Sequence, residues 1–196
     1  MAESAREITH TFAEYLALEG ASHTRHEYLN GEIFAMAGGT IEHGALAANA
    51  IGELRGGLRG RPCRVLTADV RVRVLATGFS TYPDVSVVCG SIELDPEGAN
   101  TVVNPVAIVE VLSDRTEAYD RGEKFAHYRR IPSLRDYPLV SQHEPWIEHY
   151  RRNDDDTWTL RDVRMTGVVR LSIGCELSVA EVYVNPLAPP GDSVPR

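Results

Sequence analysis

The sequence predicts a mixed α/β fold, in which helices flank a central sheet and an antiparallel β region lies towards the C-terminal end. Three observations support this prediction. Apolar segments rich in β-branched residues, typical of strands, occur at residues 84–89 and 102–112. A segment with helical periodicity follows them at residues 115–130. After Gln142 the residue pattern again indicates strands.

The N-terminal part of the chain is expected to form two helices separated by a hairpin. Residues 11–18 and 41–58 have the apolar spacing of helices, and a threonine stands where each helix would begin. Between them, Asn30-Gly31 is a strong hairpin signal, because both residues tolerate positive φ. Short strands are therefore expected at residues 27–29 and 32–35.

Four strands are expected in the middle of the chain. Residues 64–75 alternate between apolar and polar side chains, residues 84–89 read DVSVVC, and residues 102–112 are apolar enough to be buried on both faces. Residues 136–141 read DYPLVS. Pro138 in this segment indicates an edge strand or a bulge, because proline has no N–H to donate.

The helix at residues 115–130 is expected to begin with a capping box formed by Asp114 and Glu117. Further along, WIEHYRR and TWTLRDVRM flank an acidic turn and predict another hairpin. We expect residues 1–184 to form a single domain. Residues 185–196 are rich in proline and poor in apolar side chains, and are expected to be a disordered tail.

Composition restricts the classes of function. The chain has 196 residues and a net charge of −8, which counts against strong non-specific binding to nucleic acid but leaves room for a local basic groove. Its three cysteines match no zinc motif and predict no disulfide framework, which favours a reducing, cytoplasmic location. No signal peptide or membrane span is evident, and no phosphate-binding GxxxxGK[ST] loop for a nucleotide cofactor.

Two predicted strands each carry an acidic residue where an apolar one would be less costly. Asp84 begins DVSVV directly after Pro83, and Glu110 lies inside VAIVEVL. Carboxylates that converge on neighbouring strands repel one another unless a cation lies between them. A divalent metal with oxygen ligands, most simply Mg²⁺, would resolve that conflict. Two ordinary interpretations remain open: a turn or cap role for Asp84, and an arginine partner on a neighbouring strand for Glu110.

The chain resembles the Uma-type family of restriction-endonuclease-like proteins. The resemblance rests on HEYLNGEIFAMAGGTIEHGALAANAI, TYPDVSVVC and NPVAIVEVLSDRTEAYDRGEKFAHYRRIPSLRDYPLV, and it covers about residues 11–182. It implies the PD-(D/E)XK restriction-endonuclease-like fold, cleavage of DNA with Mg²⁺ (Mn²⁺ as a substitute), and a homo-oligomer, most simply a dimer.

The same resemblance assigns Asp84 to the PD element and Glu110 to the (D/E) position, as metal ligands and catalytic residues. The superfamily pattern places a lysine two residues after the glutamate, but here that position is Leu112. Lys124, on the following helix, is the matching residue. An alternative is that Lys124 only pairs with Asp120, four residues earlier on the helix surface.

A second group of candidates is expected to support the site. The resemblance implies an acidic residue from the first hairpin, either Glu27 or Glu32, and a histidine, His43. Asp120 is a further candidate, although a surface ion pair would explain it as well. Tyr128 lies one turn beyond the lysine, where packing is an equally simple role.

Two interpretations compete with a DNA-cutting enzyme. The first is a catalytically silent binding or accessory module that keeps the nuclease fold, which the acidic net charge favours. The second is a structural subunit without a ligand, for which a sealed environment around Glu110 would argue. A run of four arginines is consistent either with phosphate contacts or with a solvated surface: Arg55, Arg59, Arg61 and Arg64.

Overall fold

The computed structural model describes residues 9–184, and within them the fold is mixed α/β, as predicted. These residues form two six-stranded sheets and a two-stranded antiparallel sheet, together with helices. The predicted disordered tail at residues 185–196 lies outside the described residues.

Each large sheet combines parallel and antiparallel pairs. The first contains, in spatial order, β2 (Glu32–Ala35), β1 (His26–Leu29), β5 (Ser80–Thr81), β4 (Arg71–Arg73), β8 (Gly98–Val102) and β7 (Leu94–Asp95). The second contains β12 (Trp158–Arg164), β11 (Trp146–Arg152), β10 (Asp136–Val140), β9 (Ala107–Val111), β6 (Val85–Cys89) and β3 (Cys63–Thr67). The small sheet pairs β13 (Val168–Arg170) with β14 (Glu176–Ser178).

The helical segments lie in four places along the chain: before β1, between β2 and β3, between β9 and β10, and after β14. They are α1 (Phe12–Ala21), α2 (Ile41–Gly57), α3 (Glu117–Tyr119), a π-helix (Asp120–Lys124), α4 (Phe125–Tyr128) and α5 (Val179–Val182). The threonines predicted to begin the first two helices do so. The Thr11 side chain accepts from the Glu14 N–H in a capping box, and the Thr40 side chain accepts from the His43 N–H.

Local turn chemistry explains the first hairpin, which was predicted from two residues. Strands β1 and β2 pair antiparallel around Asn30 and Gly31, whose φ values are 52° and 93°. Asparagine and glycine tolerate these left-handed conformations better than other residues do. The C-terminal hairpin of β11 and β12 is confirmed as well, in register from Trp146–Arg164 to Arg152–Trp158.

Three predictions about strands were wrong. Residues 64–75 form two strands in different sheets, because the chain turns after Thr67, where the Val70 N–H donates to the Thr67 carbonyl. Residues 102–112 are likewise divided between the end of β8 and β9. Pro138 lies in β10, which pairs on both sides rather than at an edge. Pro138 pairs with His149 of β11 but not with a residue of β9, and it has no N–H to donate.

The predicted helix at residues 115–130 is shorter and contains a π-helix. Its N-cap is Thr116, without a side-chain cap, and the predicted Asp114 capping box does not form. The Asp114 carboxylate instead contacts His143 Nε2 at 2.5 Å. Helices α3 and α4 join through the π-helix, which brings Asp120 and Lys124 into the buried interior.

The second sheet separates two apolar cores. One core packs helix α2, α5 and the small sheet against one face, and the other packs α4 and residues from the first sheet against the opposite face. Strand β9 is buried throughout, as predicted, and its residues alternate between the two cores. Val109 faces the first core and Ile108 the second, so Glu110 projects on the side of α4.

The prediction that the cysteines form no disulfide was wrong for one pair. Cys63 and Cys89 stand directly opposite each other on β3 and β6, with Cα atoms 4.0 Å apart, and are joined by a disulfide. Cys175 is a buried free thiol. The cross-strand position of the pair could not be seen from the sequence, because it depends on the register of two strands that are 26 residues apart.

Candidate active site

Two adjacent strands carry the acidic pair. Strands β6 and β9 are antiparallel neighbours with Val85 opposite Val109, so Asp84, directly before β6, lies beside Glu110. The Asp84 N–H donates to Glu110 Oε2 at 3.2 Å, and the Val111 N–H donates to Asp84 Oδ2 at 2.8 Å. The backbone of each strand therefore fixes the carboxylate carried by the other.

Lys124 reaches the same point from the π-helix. Its ammonium lies 2.9 Å from Glu110 Oε1 and 3.2 Å from Asp120 Oδ1, and only 7% of its side chain is exposed. A π-helix is rare and is frequently found at functional sites. Here it places both Asp120 and Lys124 on the inner side of the helix rather than in a surface ion pair.

The first hairpin supplies a further carboxylate, that of Glu27. Its Oε1 lies 3.7 Å from Lys124 Nζ and accepts from Thr81 Oγ1 at 2.5 Å, while Oε2 accepts from the Tyr119 hydroxyl at 3.0 Å. The structure does not bring Glu32 into this cluster. Glu32 is exposed on β2, at the edge of the first sheet.

Tyr128 contacts the central carboxylate directly. Its hydroxyl donates to Glu110 Oε1 at 2.8 Å, and its side chain is fully buried. Its ring also packs edge-to-face against Phe79 and Tyr137. The residue therefore combines the packing role and the site role that the sequence left open.

His43 lies on the more exposed side of the cluster. Its Nε2 is 2.8 Å from Asp84 Oδ1, and the two side chains are 20% and 18% exposed. The hydrogen bond to Asp84 raises the pKa of His43 most, and burial opposes this increase. The first turn of α2, capped by Thr40, holds the ring in place.

The electrostatics of the cluster are unbalanced. It contains one ammonium, from Lys124, and four carboxyl groups, from Glu27, Asp84, Glu110 and Asp120. Burial raises the pKa of Glu110 to about 8, with further increases from Asp84 and Asp120 and an opposing decrease from Lys124. Burial alone lowers the pKa of Lys124, but Glu110, Asp120 and Glu27 outweigh it and hold that pKa well above its usual value. Lys124 is therefore protonated, and the site has an excess of negative charge.

The donor chemistry is suitable for a hard divalent cation. Carboxylate oxygens are the ligands that Mg²⁺ prefers, and this ion commonly uses one or two protein carboxylates and retains several waters. Over residues 9–184 no group of three or more His, Cys, Asp or Glu side chains is arranged to hold a metal. Asp84 and Glu110 would therefore be the ligands that the protein supplies to a largely hydrated ion.

Some supporting residues were not anticipated. Thr81 and Tyr119 hold Glu27, and Val111 holds Asp84 through its N–H. No sequence signal identifies them, because they act through tertiary contacts between elements distant in the chain. Glu27 itself stood among the candidates, but only the structure distinguishes it from Glu32.

Known proteins resemble this chain over most of its length. The Uma2 family model, described as "Putative restriction endonuclease", matches residues 12–180. Two uncharacterized proteins of Synechocystis sp. are similar: slr1290 is 36% identical over 87% of this chain and 89% of its own, and sll1609 is 32% identical over 78% and 86%. A crystal structure described as a putative nuclease belonging to DUF820, from Anabaena variabilis, superposes with a TM-score of 0.68 at 19% identity, covering 83% of this chain and 91% of that one.

The last likeness establishes that the chain shares the fold of the Anabaena protein. Among residues 9–184 no helix has the length and apolar character needed to cross a bilayer.

Proposed function

The chain belongs to the Uma2 family, and on that premise we propose that it is a Mg²⁺-dependent endonuclease that hydrolyses phosphodiester bonds of DNA. One observation carries the proposal: the ammonium of Lys124 lies 2.9 Å from Glu110, whose neighbour on the adjacent strand is Asp84. These are the residue types of a PD-(D/E)XK site, with the lysine supplied by the following helix. The family description supports nuclease activity in general.

In this proposal Asp84 and Glu110 hold the cation. A bound Mg²⁺ supplies Lewis-acid chemistry, lowering the pKa of a water and neutralising charge on a phosphate. Lys124 presents a fixed positive charge at a buried position, where it can orient the attacking water or stabilise charge on the phosphate. Glu27 and Asp120 keep that ammonium charged and in place.

Two further residues position the ligands. The Tyr128 hydroxyl fixes Glu110 Oε1, and His43 fixes Asp84 Oδ1. Glu110 is 3% exposed, whereas Asp84 and His43 are partly accessible. A phosphate therefore approaches from the side of Asp84 and His43.

DNA cleavage by matched variants tests the proposal. We expect wild type to cut duplex DNA with Mg²⁺ or Mn²⁺ and not with EDTA, and Asp84→Asn and Lys124→Met each to lower the rate by about 100-fold or more. Asp114→Asn is the control, because Asp114 is an exposed acid outside the cluster. Equal cleavage by wild type and Asp84→Asn, with both folded by circular dichroism, would refute the assignment.

A second candidate function is a catalytically silent module with the nuclease fold. It is favoured by a specific observation: all four carboxylate oxygens of Asp84 and Glu110 contact protein donors. Calorimetric titration distinguishes the two functions. Binding of Mg²⁺ or Mn²⁺ at millimolar concentration that Asp84→Asn abolishes supports the enzyme, and failure of wild type to bind either ion supports the silent module.

Assembly and location stay predictions. A dimer would allow two sites to meet two DNA strands, and sedimentation velocity would measure it. The cytoplasmic location was inferred partly from an absence of disulfides, and the Cys63–Cys89 bridge removes that part of the reasoning.

A further inference from the structure

An open groove of about 720 Å³ lies between the C-terminal half of α2 and strand β3. It is separate from the acidic cluster. Helix residues form one wall, the loop from α2 to β3 forms the end, and β3 forms the other wall.

Four guanidinium groups line this groove, and all four side chains are exposed: Arg55, Arg59, Arg61 and Arg64. None of them forms an ion pair with a carboxylate of residues 9–184, whereas Arg73 and Arg121 elsewhere in the chain each contact two acids. One of the four donates to a backbone carbonyl, that of Ile173. In a chain with a net charge of −8, this groove thus gathers four positive charges that have no carboxylate partner among residues 9–184.

The helical wall of the groove is open to close approach. Gly52 and Gly56 stand four residues apart on α2, and a Cβ atom added at either position would meet no atom within 4 Å. The opposite wall, β3, is an edge strand that pairs only with β6, so its other side presents unpaired backbone groups. Neither wall therefore places a bulky side chain at these two helix positions or a further strand beyond β3.

The groove runs towards the candidate active site. Helix α2 begins at the site with His43 and reaches Arg55 twelve residues later, about 18 Å along its axis. Strand β3 runs back towards the candidate active site. It begins with Cys63, opposite Cys89 at the end of β6 away from Asp84, and ends with Thr67, opposite Val85, which follows Asp84. The groove therefore points from the arginines to the acidic pair over about 17 Å, the axial length of about five base pairs.

We propose that this groove binds the phosphate backbone of duplex DNA beside the point of cleavage. The choice of DNA rests on the proposed function, and the anionic backbone itself is indicated by the four unpaired guanidinium groups. Guanidinium groups suit phosphate because they present several N–H donors in a planar fork. Although the net charge of the chain is negative, the positive charge of the four arginines attracts phosphate groups locally.

Fluorescence anisotropy with a labelled duplex of about 20 base pairs tests the proposal. Binding is measured in EDTA, so that no cleavage is needed. The first variant is Arg55→Gln/Arg59→Gln/Arg64→Gln, which leaves Arg61 and its backbone contact intact. Its control is Arg151→Gln/Arg161→Gln, which removes two exposed arginines of β11 and β12, on the opposite side of the same sheet.

We expect the triple variant to bind at least about tenfold more weakly and to lower the slope of log affinity against log salt by about 2.7, since each phosphate contact contributes about 0.9. A second pair of variants separates charge from folding. Gly52→Glu places a carboxylate in the groove and is expected to weaken binding, whereas Gly52→Gln has the same size and is expected to bind like wild type. Both replace an exposed glycine inside a helix, which favours folding.

Three results would overturn the inference: no binding by wild type at low salt, equal binding by all variants, or a change in oligomeric state instead of DNA affinity. The last would identify an acidic surface of a second copy as the occupant. Tighter binding of single-stranded RNA than of the duplex, lost in the triple variant, would also contradict it. A protein whose groove binds DNA but which never cuts it would retain this inference and lose only the proposed activity.

Discussion

Replacing Glu110 by glutamine is expected to change how the stability of the chain depends on pH. Burial and the neighbouring acids Asp84 and Asp120 raise the pKa of Glu110 to about 8, whereas a glutamate in an unfolded chain titrates near about 4.3. Between these values the folded state holds a proton that the unfolded state has lost. The contribution is therefore fully present below about pH 4 and is lost as pH rises to about 8.

The size of the effect follows from the difference in pKa. One pKa unit corresponds to about 1.4 kcal/mol, so the ceiling is about 5 kcal/mol. Rearrangement around the ammonium of Lys124 reduces this, and part of the change lies below about pH 5. We therefore expect wild type to lose about 2–3 kcal/mol between about pH 5 and pH 8 beyond any loss in Glu110→Gln. Glutamine keeps the volume of the side chain and an acceptor for the Tyr128 hydroxyl, but it has no charge to bury.

Urea unfolding in EDTA, followed by tryptophan fluorescence across this pH range, measures the difference. The control is Glu148→Gln, because Glu148 is also buried but is paired with Arg121 at 2.9 Å. Its replacement removes one of the two carboxylates that contact Arg121 and leaves Glu117 as the other. We expect this variant to be less stable than wild type, by a difference that does not grow as the pH rises. Parallel curves for wild type and Glu110→Gln, within about 0.5 kcal/mol at every pH, would show that Glu110 ionises freely and would refute the reasoning.

Three further predictions concern particular contacts. Tyr128→Phe removes a buried donor to Glu110 and is expected to cost about 1.5–3 kcal/mol in urea unfolding; an unchanged midpoint would contradict this role. Cys63→Ser/Cys89→Ser removes the disulfide between residues 26 apart and is expected to lower the free energy of unfolding by about 3 kcal/mol. Wild type in a thiol reductant should match it, and a stable reduced wild type would argue against the bridge. Gly31→Ala places a side chain at a φ of 93° and is expected to lower the free energy of unfolding in urea by about 1 kcal/mol or more, whereas no loss would mean that the turn rearranges.

Local signals account for the parts of the fold that were predicted well. The Asn30-Gly31 hairpin and the threonine caps depend on residues within a few positions of each other. The division of residues 64–75 between two sheets does not, because both strands satisfy the same alternating pattern and only packing assigns them to different sheets. The placement of Pro138 could not be predicted for a similar reason. A central strand accommodates a proline at a position where pairing with β9 requires no N–H, and that position depends on the register of the sheet.

The acidic pair could be predicted because its cost is visible in the sequence. Asp84 and Glu110 interrupt apolar strands, and a buried carboxylate costs free energy unless it is paired or binds a metal. The assignment of Lys124 to the site rested only on the family resemblance, because its proximity to Glu110 depends on the π-helix. Glu27 could not be distinguished from Glu32, because the choice depends on which strand of the hairpin lies next to β5.

The arrangement around Glu110 is difficult to explain as a structural device. A buried ion pair is rarely more stabilising than apolar residues of the same volume, and here three carboxyl groups contact a single ammonium, so that acids are in excess. The neighbouring positions Ile108, Val109 and Val111 show that this strand accommodates apolar side chains. If stability alone were selected, an apolar residue at position 110 would remove a buried carboxyl group whose pKa burial raises to about 8. Because such an excess is costly without a cation, the cluster is better explained by the chemistry it performs than by the fold it supports.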